Sequence, residues 1–474
     1  MRRSTATIAL ALLALALGTW LRLWFLWHFP QVNGDGLIYG DIAKNWLLHG
    51  IYGRTDFTAA GMVVNPTLIR LPGYPLFLAA CFRIFGVDHY GAALYLQVAI
   101  DLVSALLVAW TARAIAGPRA GMCALFLAAL CPFSANYVAA PLSETLSIFC
   151  VAAACAALVR LQMCPGWSGC LLLAVIWSYA TLLRPDGALL AVASFVAIVV
   201  FANRSFAGMP PLGSARAWRL ALGAGLLSVI PFAFWTARNL RTFHVFEPLA
   251  PRYATDPGEF PAPGFQRWMK TWAVDFASTS DIYWNVGSAP LEVNLLPSRA
   301  FDSPAQREQT AEIFALYNES TTITPAIDAR FNALASERER AHPLRSYIGL
   351  PLLRVLDMWL RPRTEMLNIE LRWWQYDRHH AETEFAAGYA ALNLAYIALA
   401  AWGAWRIRSD CAMLVAMIAL YCLLRTLLLA TIEAPEARYT IEVFPMLCIL
   451  AGAACASRAA RSATYRRGYL RTMV

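Results

Sequence analysis

Ten stretches of this chain are apolar over enough residues to cross a bilayer, and no other feature restricts its fold so tightly. A spanning helix needs about 17 to 25 mostly apolar residues, and such windows fall near 6–29, 91–112, 119–138, 143–160, 167–183, 187–203, 219–236, 385–405, 411–431 and 440–456. In hydrocarbon each segment must satisfy its own backbone, so each window is expected to be a helix. The predicted fold is therefore all-α, a polytopic membrane protein with about ten transmembrane helices. Composition agrees: 59% hydrophobic and 15% charged residues, with a mean hydropathy of +0.49, exclude an ordinary soluble globule. Arg2, Arg3 and the following Ala/Leu run look like the start of a cleavable signal. The apolar pattern, however, continues through Trp20, Leu21, Leu23 and Trp24 to Phe29, which reads as an uncleaved first span.

The formal charge of +9 reports topology, and no nucleic-acid partner is expected. Threading the spans alternately gathers Arg2, Arg3, Arg113, Arg119, Arg160, Arg204, Arg216, Arg219, Arg406 and Arg408 on one side, with Arg458, Arg461, Arg466, Arg467 and Arg471 beyond the last span; Asp410 is the one acid among them. The positive-inside rule then puts both termini in the cytoplasm. Eleven cysteines include no C-x-x-C pair, and none lies between 238 and 384, which suits an oxidising compartment for that stretch.

Three regions follow: a membrane module over 1–236 that includes a first outer loop at 30–90, a large outer loop at 237–384, and C-terminal helices with a tail at 385–474. In the first loop, Leu76 to Phe85 is too short to span and is expected to be interfacial or re-entrant. The large loop carries helical patches at Pro304 to Asn318 and Ala326 to Arg340, then an amphipathic run, Tyr347 to Leu360, expected to lie on the membrane. No internal repeat is visible, which weighs against an inverted-repeat transporter.

The stretch Asn33 to Gly50 leaves the first span directly, so Asp35 emerges close to the membrane surface. Leu37, Ile38, Ile42, Ala43, Trp46 and Leu47 give it a helical apolar face, with Gly50 as the C-terminal cap. The plain structural reading makes Asp35 the N-cap. On the same side lie Arg70 in a proline-bounded turn, Arg184 in Arg184-Pro185-Asp186-Gly187, and Arg438 in Glu436-Ala437-Arg438-Tyr439. Guanidinium groups suit bidentate phosphate binding, and ion pairs with Asp186 or Glu436 are the plain alternative for two of them. Glu144 heads the fourth span, where a carboxylate suits a helix N-terminus. Asp101 and Arg425 lie within spans, where an interhelical hydrogen bond or ion pair is expected. Asp377, His379, His380, Glu382 and Glu384 match no zinc signature, so no metal is assigned and a divalent ion has no sequence support. Trp373, Trp374 and Tyr376 read as an interfacial belt. No P-loop, dinucleotide fingerprint or G-x-S-x-G occurs.

With these landmarks in order, the chain resembles the bacterial integral-membrane glycosyltransferases of the GT-C class, related to protein O-mannosyltransferases and lipid A aminoarabinose transferases. The likeness rests on Asp35-x-x-x-Tyr39-x-x-x-Ala43, Arg70-Leu-Pro-Gly-Tyr-Pro75, Ser143-Glu144, Arg184-Pro185-Asp186-Gly187, Arg238-Asn239 and Arg438-Tyr439. It implies a polyprenyl-phosphate-linked sugar as donor, transfer outside the cytoplasm to a glycan, lipid or protein acceptor, and Asp35 as catalytic base. Arg70, Arg184 and Arg438 would then hold the lipid phosphate, with Tyr39, Asp41, Tyr74, Glu144, Arg238 and Tyr439 in support. Many relatives carry a second acid directly after the Asp, where this chain has Gly36, leaving Asp41 or Glu144 as substitutes. One base opposite the leaving group implies inversion at the sugar carbon. A lipid-linked sugar flippase and a non-catalytic subunit of an envelope assembly are the competing readings.

Overall fold

The computed structural model describes residues 2–58, 61–375 and 379–456, with side chains from residue 5 onward. Tyr376, Asp377, Arg458, Arg461, Arg466, Arg467 and Arg471 lie outside the described residues, as do the side chains of Arg2 and Arg3. Among the described residues seven helices are long and apolar enough to cross a bilayer: Thr5–His28, Tyr90–Ala116, Glu144–Met163, Ser214–Phe243, His380–Ile407, Ala412–Leu429 and Ala437–Ala454. The pair Pro118–Ala129 and Pro132–Ala139, bent by 44°, makes an eighth if it is one span. The expected count of ten is therefore not confirmed. The two remaining windows hold shorter apolar helices, Trp167–Leu183 and Pro185–Val200, which at 1.5 Å per residue are roughly 24–26 Å long, at the lower edge of what crosses a bilayer. The chain is an all-α polytopic membrane protein.

The bent pair explains the buried charges. Its break leaves the Ala128 carbonyl with a long bond from the Cys131 N–H at 3.4 Å and the Ala129 carbonyl without a helical partner, a costly state in hydrocarbon. The Arg22 guanidinium donates to both, at 3.3 and 2.6 Å, and to the Gly18 carbonyl at 2.9 Å. Asp101 balances its charge at 2.6 Å. The ion pair expected for Asp101 is thus present, with Arg22 as its partner. Arg425 donates to the Tyr439 carbonyl.

The described chain forms two compact units, one from Met1–Pro257, Leu394–Leu423 and Ile441–Val474, the other from Gly258–Asn393 and Leu424–Thr440. In the first, the loop after the initial span begins with the helix Asp35–His49, closed by Gly50 in the left-handed region at φ 70°, where glycine carries no Cβ penalty. A hairpin the sequence reading did not anticipate follows, Gly53–Thr58 paired antiparallel with Gly61–Pro66. Asp41 accepts from the Thr55 backbone N–H and hydroxyl, both at 2.7 Å, and Asn45 donates to the Gly53 carbonyl at 3.1 Å. These bonds fasten the hairpin to the helix. The expected short helix is Gly73–Phe85, and a Cβ on Gly73 would lie 2.5 Å from the Leu182 backbone. Only glycine permits that approach.

The second unit has its own aromatic core, with Trp268, Trp272, Phe314 and Phe331 all buried. The two expected patches are helices Pro304–Asn318 and Pro325–Ala341, capped by the Ser303 and Thr324 side chains and each opened by a proline.

Candidate active site in the first outer loop

The loop helix starts at Asp35 itself, and Gly34 occupies the cap position with φ 47° and ψ −124°. The N-cap reading of Asp35 is corrected, because Gly34 holds the cap position and Asp35 is the first residue inside the helix. Its carboxylate instead accepts from Arg70 Nη2 at 2.7 Å, with 26% of the Asp35 side chain and 22% of Arg70 exposed. The helix N-terminus favours the charged carboxylate.

Arg70 is held from behind by a chain of bonds. The Tyr52 hydroxyl donates to the Arg70 carbonyl at 2.9 Å. Arg238 in turn donates to the carbonyls of Tyr52 at 2.7 Å and Thr67 at 2.8 Å, with its guanidinium over the rings of Tyr52, Trp235 and Phe243. Asp256 accepts from the Thr67 hydroxyl at 2.7 Å and the Leu68 N–H at 2.8 Å, and lies 3.5 Å from Arg54. Sequence reasoning missed Asp256, whose only local signal is a turn-forming Asp-Pro-Gly. Pairing over 189 residues leaves no periodic trace.

Tyr39 and Tyr74 stack edge to face with centroids 5.0 Å apart. Tyr74 is buried and donates to Gln97 Oε1 at 2.6 Å, which anchors the loop to the span Tyr90–Ala116. Burial lifts the Tyr39 hydroxyl above its usual pKa; Arg70 and Arg184 pull it back, while Asp35 and Glu144 push it further up. At neutral pH it remains a donor. Tyr39 therefore feels two charge clusters at once, Asp35 with Arg70 and Glu144 with Arg184.

In the second cluster Arg184 lies 3.2 Å from Glu144, 3.2 Å from Asp186 and 3.3 Å from Glu442. Burial disfavours its charge, yet the three carboxylates hold its pKa well above the usual arginine value. The expected pairing with Asp186 is present, and Glu442 is a partner the sequence reading left within an outer turn. Glu442 also accepts from the Tyr421 hydroxyl at 3.2 Å. Asp41, offered as a substitute acid, is committed to the hairpin.

Arg438 and Tyr439 lie in the second unit, where both bond Glu436, at 2.5 and 2.9 Å. Arg363 clamps the same turn through the Ala437 carbonyl at 2.9 Å and the Thr440 hydroxyl at 2.6 Å. Among the described residues no three His, Cys, Asp or Glu side chains are arranged to hold a metal ion. What the first loop presents is a partly exposed carboxylate oriented by one guanidinium group.

Residues 66–235 match the family described as dolichyl-phosphate-mannose-protein mannosyltransferase, a segment that takes in Arg70, Tyr74, Glu144 and Arg184. A comparison with curated proteins gives no match. Among solved structures, the archaeal oligosaccharyltransferase AglB from Archaeoglobus fulgidus, in complex with an inhibitory peptide and a dolichol-phosphate, matches with a TM-score of 0.50 at 11% identity, over 95% of this chain and 50% of that one. The chain thus spans about half the length of the archaeal protein. ArnT from Cupriavidus metallidurans in the apo state matches with a TM-score of 0.39 at 15% identity, over 97% of this chain and 78% of that one. The segment 66–235 is thus similar to the mannosyltransferase family, and the likeness to the archaeal structure is one of fold.

Proposed function

We propose that the chain is a glycosyltransferase that moves a hexosyl or pentosyl group from a polyprenyl-phosphate-linked donor to an acceptor at the extracytoplasmic face of a bacterial inner membrane, with both termini in the cytoplasm. The observation that carries this reading is the Asp35 carboxylate, which does no capping and is held by Arg70 at 2.7 Å. The dolichol-phosphate bound to the A. fulgidus protein is the same class of carrier.

In this reading Asp35 takes the proton from an acceptor hydroxyl or amine as that group attacks the anomeric carbon. The bond to the donor phosphate breaks on the opposite face, the phosphate oxygen keeps the electron pair, and configuration inverts. Arg70 keeps Asp35 ionised and aimed in the resting state. An in-line displacement puts base and leaving group on opposite faces of the sugar, so Arg70 must leave Asp35 to reach the phosphate. Arg184 joins the phosphate-binding set by exchanging carboxylate partners for the donor. Tyr39, Tyr74, Arg238, Glu144 and Asp41 shape and support the site.

The test is transfer of radiolabelled sugar from polyprenyl-phosphate donors in membranes with wild type or Asp35→Asn, at matched protein levels. Transfer by wild type that disappears in a folded Asp35→Asn supports the base assignment. Label that crosses the membrane unattached with both proteins would make the chain a flippase instead.

A further inference from the structure

The helix Leu350–Leu360 in the second unit has its amphipathic character turned inside out. Leu350, Arg354 and Met358 are buried at 5%, 2% and 0% exposure, while Leu352, Leu353, Leu356 and Leu360, with Tyr347 and Ile348 just before them, are exposed. Arg354 donates through Nη1 to the carbonyls of Lys270 at 2.9 Å and Ala273 at 3.2 Å. A helix bathed in water buries leucine and exposes arginine. Here four leucines are exposed and an arginine is buried.

Its C-terminal end is tied to three membrane-crossing helices. Trp359 Nε1 donates to the Thr426 hydroxyl at 3.2 Å, in the last turn of Ala412–Leu429. Asn393, halfway along His380–Ile407, donates to the Trp359 carbonyl at 2.8 Å. Thr440, at the start of Ala437–Ala454, donates to the Met358 carbonyl at 2.9 Å. A helix end bonded to the middle of a spanning helix sits at bilayer depth, not above it.

From these two observations we infer that Leu350–Leu360 is a monotopic membrane helix whose leucine face is covered by the acyl chains of the adjacent leaflet. The helix holds the second unit on the bilayer through a lateral lipid contact, in addition to the spans. Crossing the membrane is not its role, since 11 residues make only about 17 Å of helix. The inference rests on burial and hydrogen bonding and is independent of the proposed glycosyl transfer.

Nitroxide labels at Leu352→Cys and Leu356→Cys test it in proteoliposomes of the full chain, with the exposed Cys164 and Cys455 replaced by Ala and the labelled parent subtracted. Glu308→Cys, an exposed position on Pro304–Asn318, serves as the water reference. At both leucine positions, collisions with dissolved oxygen should exceed those with a water-soluble nickel chelate, and at Glu308 the order should reverse. Nickel collisions at the leucine positions equal to those at Glu308 would mean the face is in water. Exclusion of both quenchers would mean a protein surface covers it. Either result overturns the inference.

Discussion

Arg22 and Asp101 meet at 2.6 Å with 1% and 2% of their side chains exposed, whereas Arg70 and Asp35 meet at 2.7 Å with 22% and 26% exposed. Both are arginine–aspartate pairs in the same unit, and their surroundings separate their roles. Arg22 is held by the Ala128 and Ala129 carbonyls at the broken span and by the Gly18 carbonyl of its own helix, so its pair belongs to the architecture. Asp35 sits on the first turn of a loop helix that has no use for it as a cap. A buried pair whose bonds are all spoken for is structural; a half-exposed pair built on a braced turn is where chemistry can happen.

The sharpest way to break the comparison is Asp35→Asn. Losing a general base costs about 10²- to 10⁴-fold in rate, while a half-exposed pair contributes only about 0–1 kcal/mol to stability, so turnover should collapse with thermal unfolding in detergent nearly unchanged. A large stability loss would return Asp35 to the structural class. Arg22→Leu should do the opposite, destabilising the chain by about 3–5 kcal/mol because Asp101 is left charged and unpaired, measured by unfolding in mixed micelles. Adding Asp101→Leu should recover only part of this loss. The Ala129 carbonyl still lacks its Arg22 donor in the double variant, at about 1–3 kcal/mol.

Arg70→Lys sharpens the comparison from the other partner. It keeps the charge and loses the planar fork, so kcat/KM should fall about tenfold, equivalent to ~1.4 kcal/mol, with stability unaffected. Asp256→Asn should have the smallest effect. It retains one acceptor of two and should weaken the loop by about 1 kcal/mol, read as faster proteolysis near the hairpin and a modest drop in kcat. Unchanged kcat would mean that the bonds behind Arg70 do not reach the site.

The spans were legible because hydrocarbon imposes one rule on every residue of a segment, and a window average detects it. The helices at Pro304–Asn318 and Pro325–Ala341 were legible for a local reason, their caps and N-terminal prolines. The count of ten is not confirmed around Arg184-Pro185, where two shorter apolar helices follow one another and apolar length alone does not separate a crossing from a partial one. The hairpin at 53–66 stayed hidden because what steadies it lies outside it, in Asp41 and Asn45.

From the sequence alone came the membrane class and the order of the landmarks, since both follow from local composition and short spacings, while the expectation for Asp35 came from the family resemblance. Only tertiary structure decided who pairs with whom. It joined Arg22 to Asp101 across 79 residues, brought Glu442 to Arg184, braced Arg70 with Arg238 and Asp256, and set Arg438 in the second unit. Charge pairing depends on which side chains meet after the spans pack, and a carboxylate carries no mark in the sequence of the guanidinium it will find.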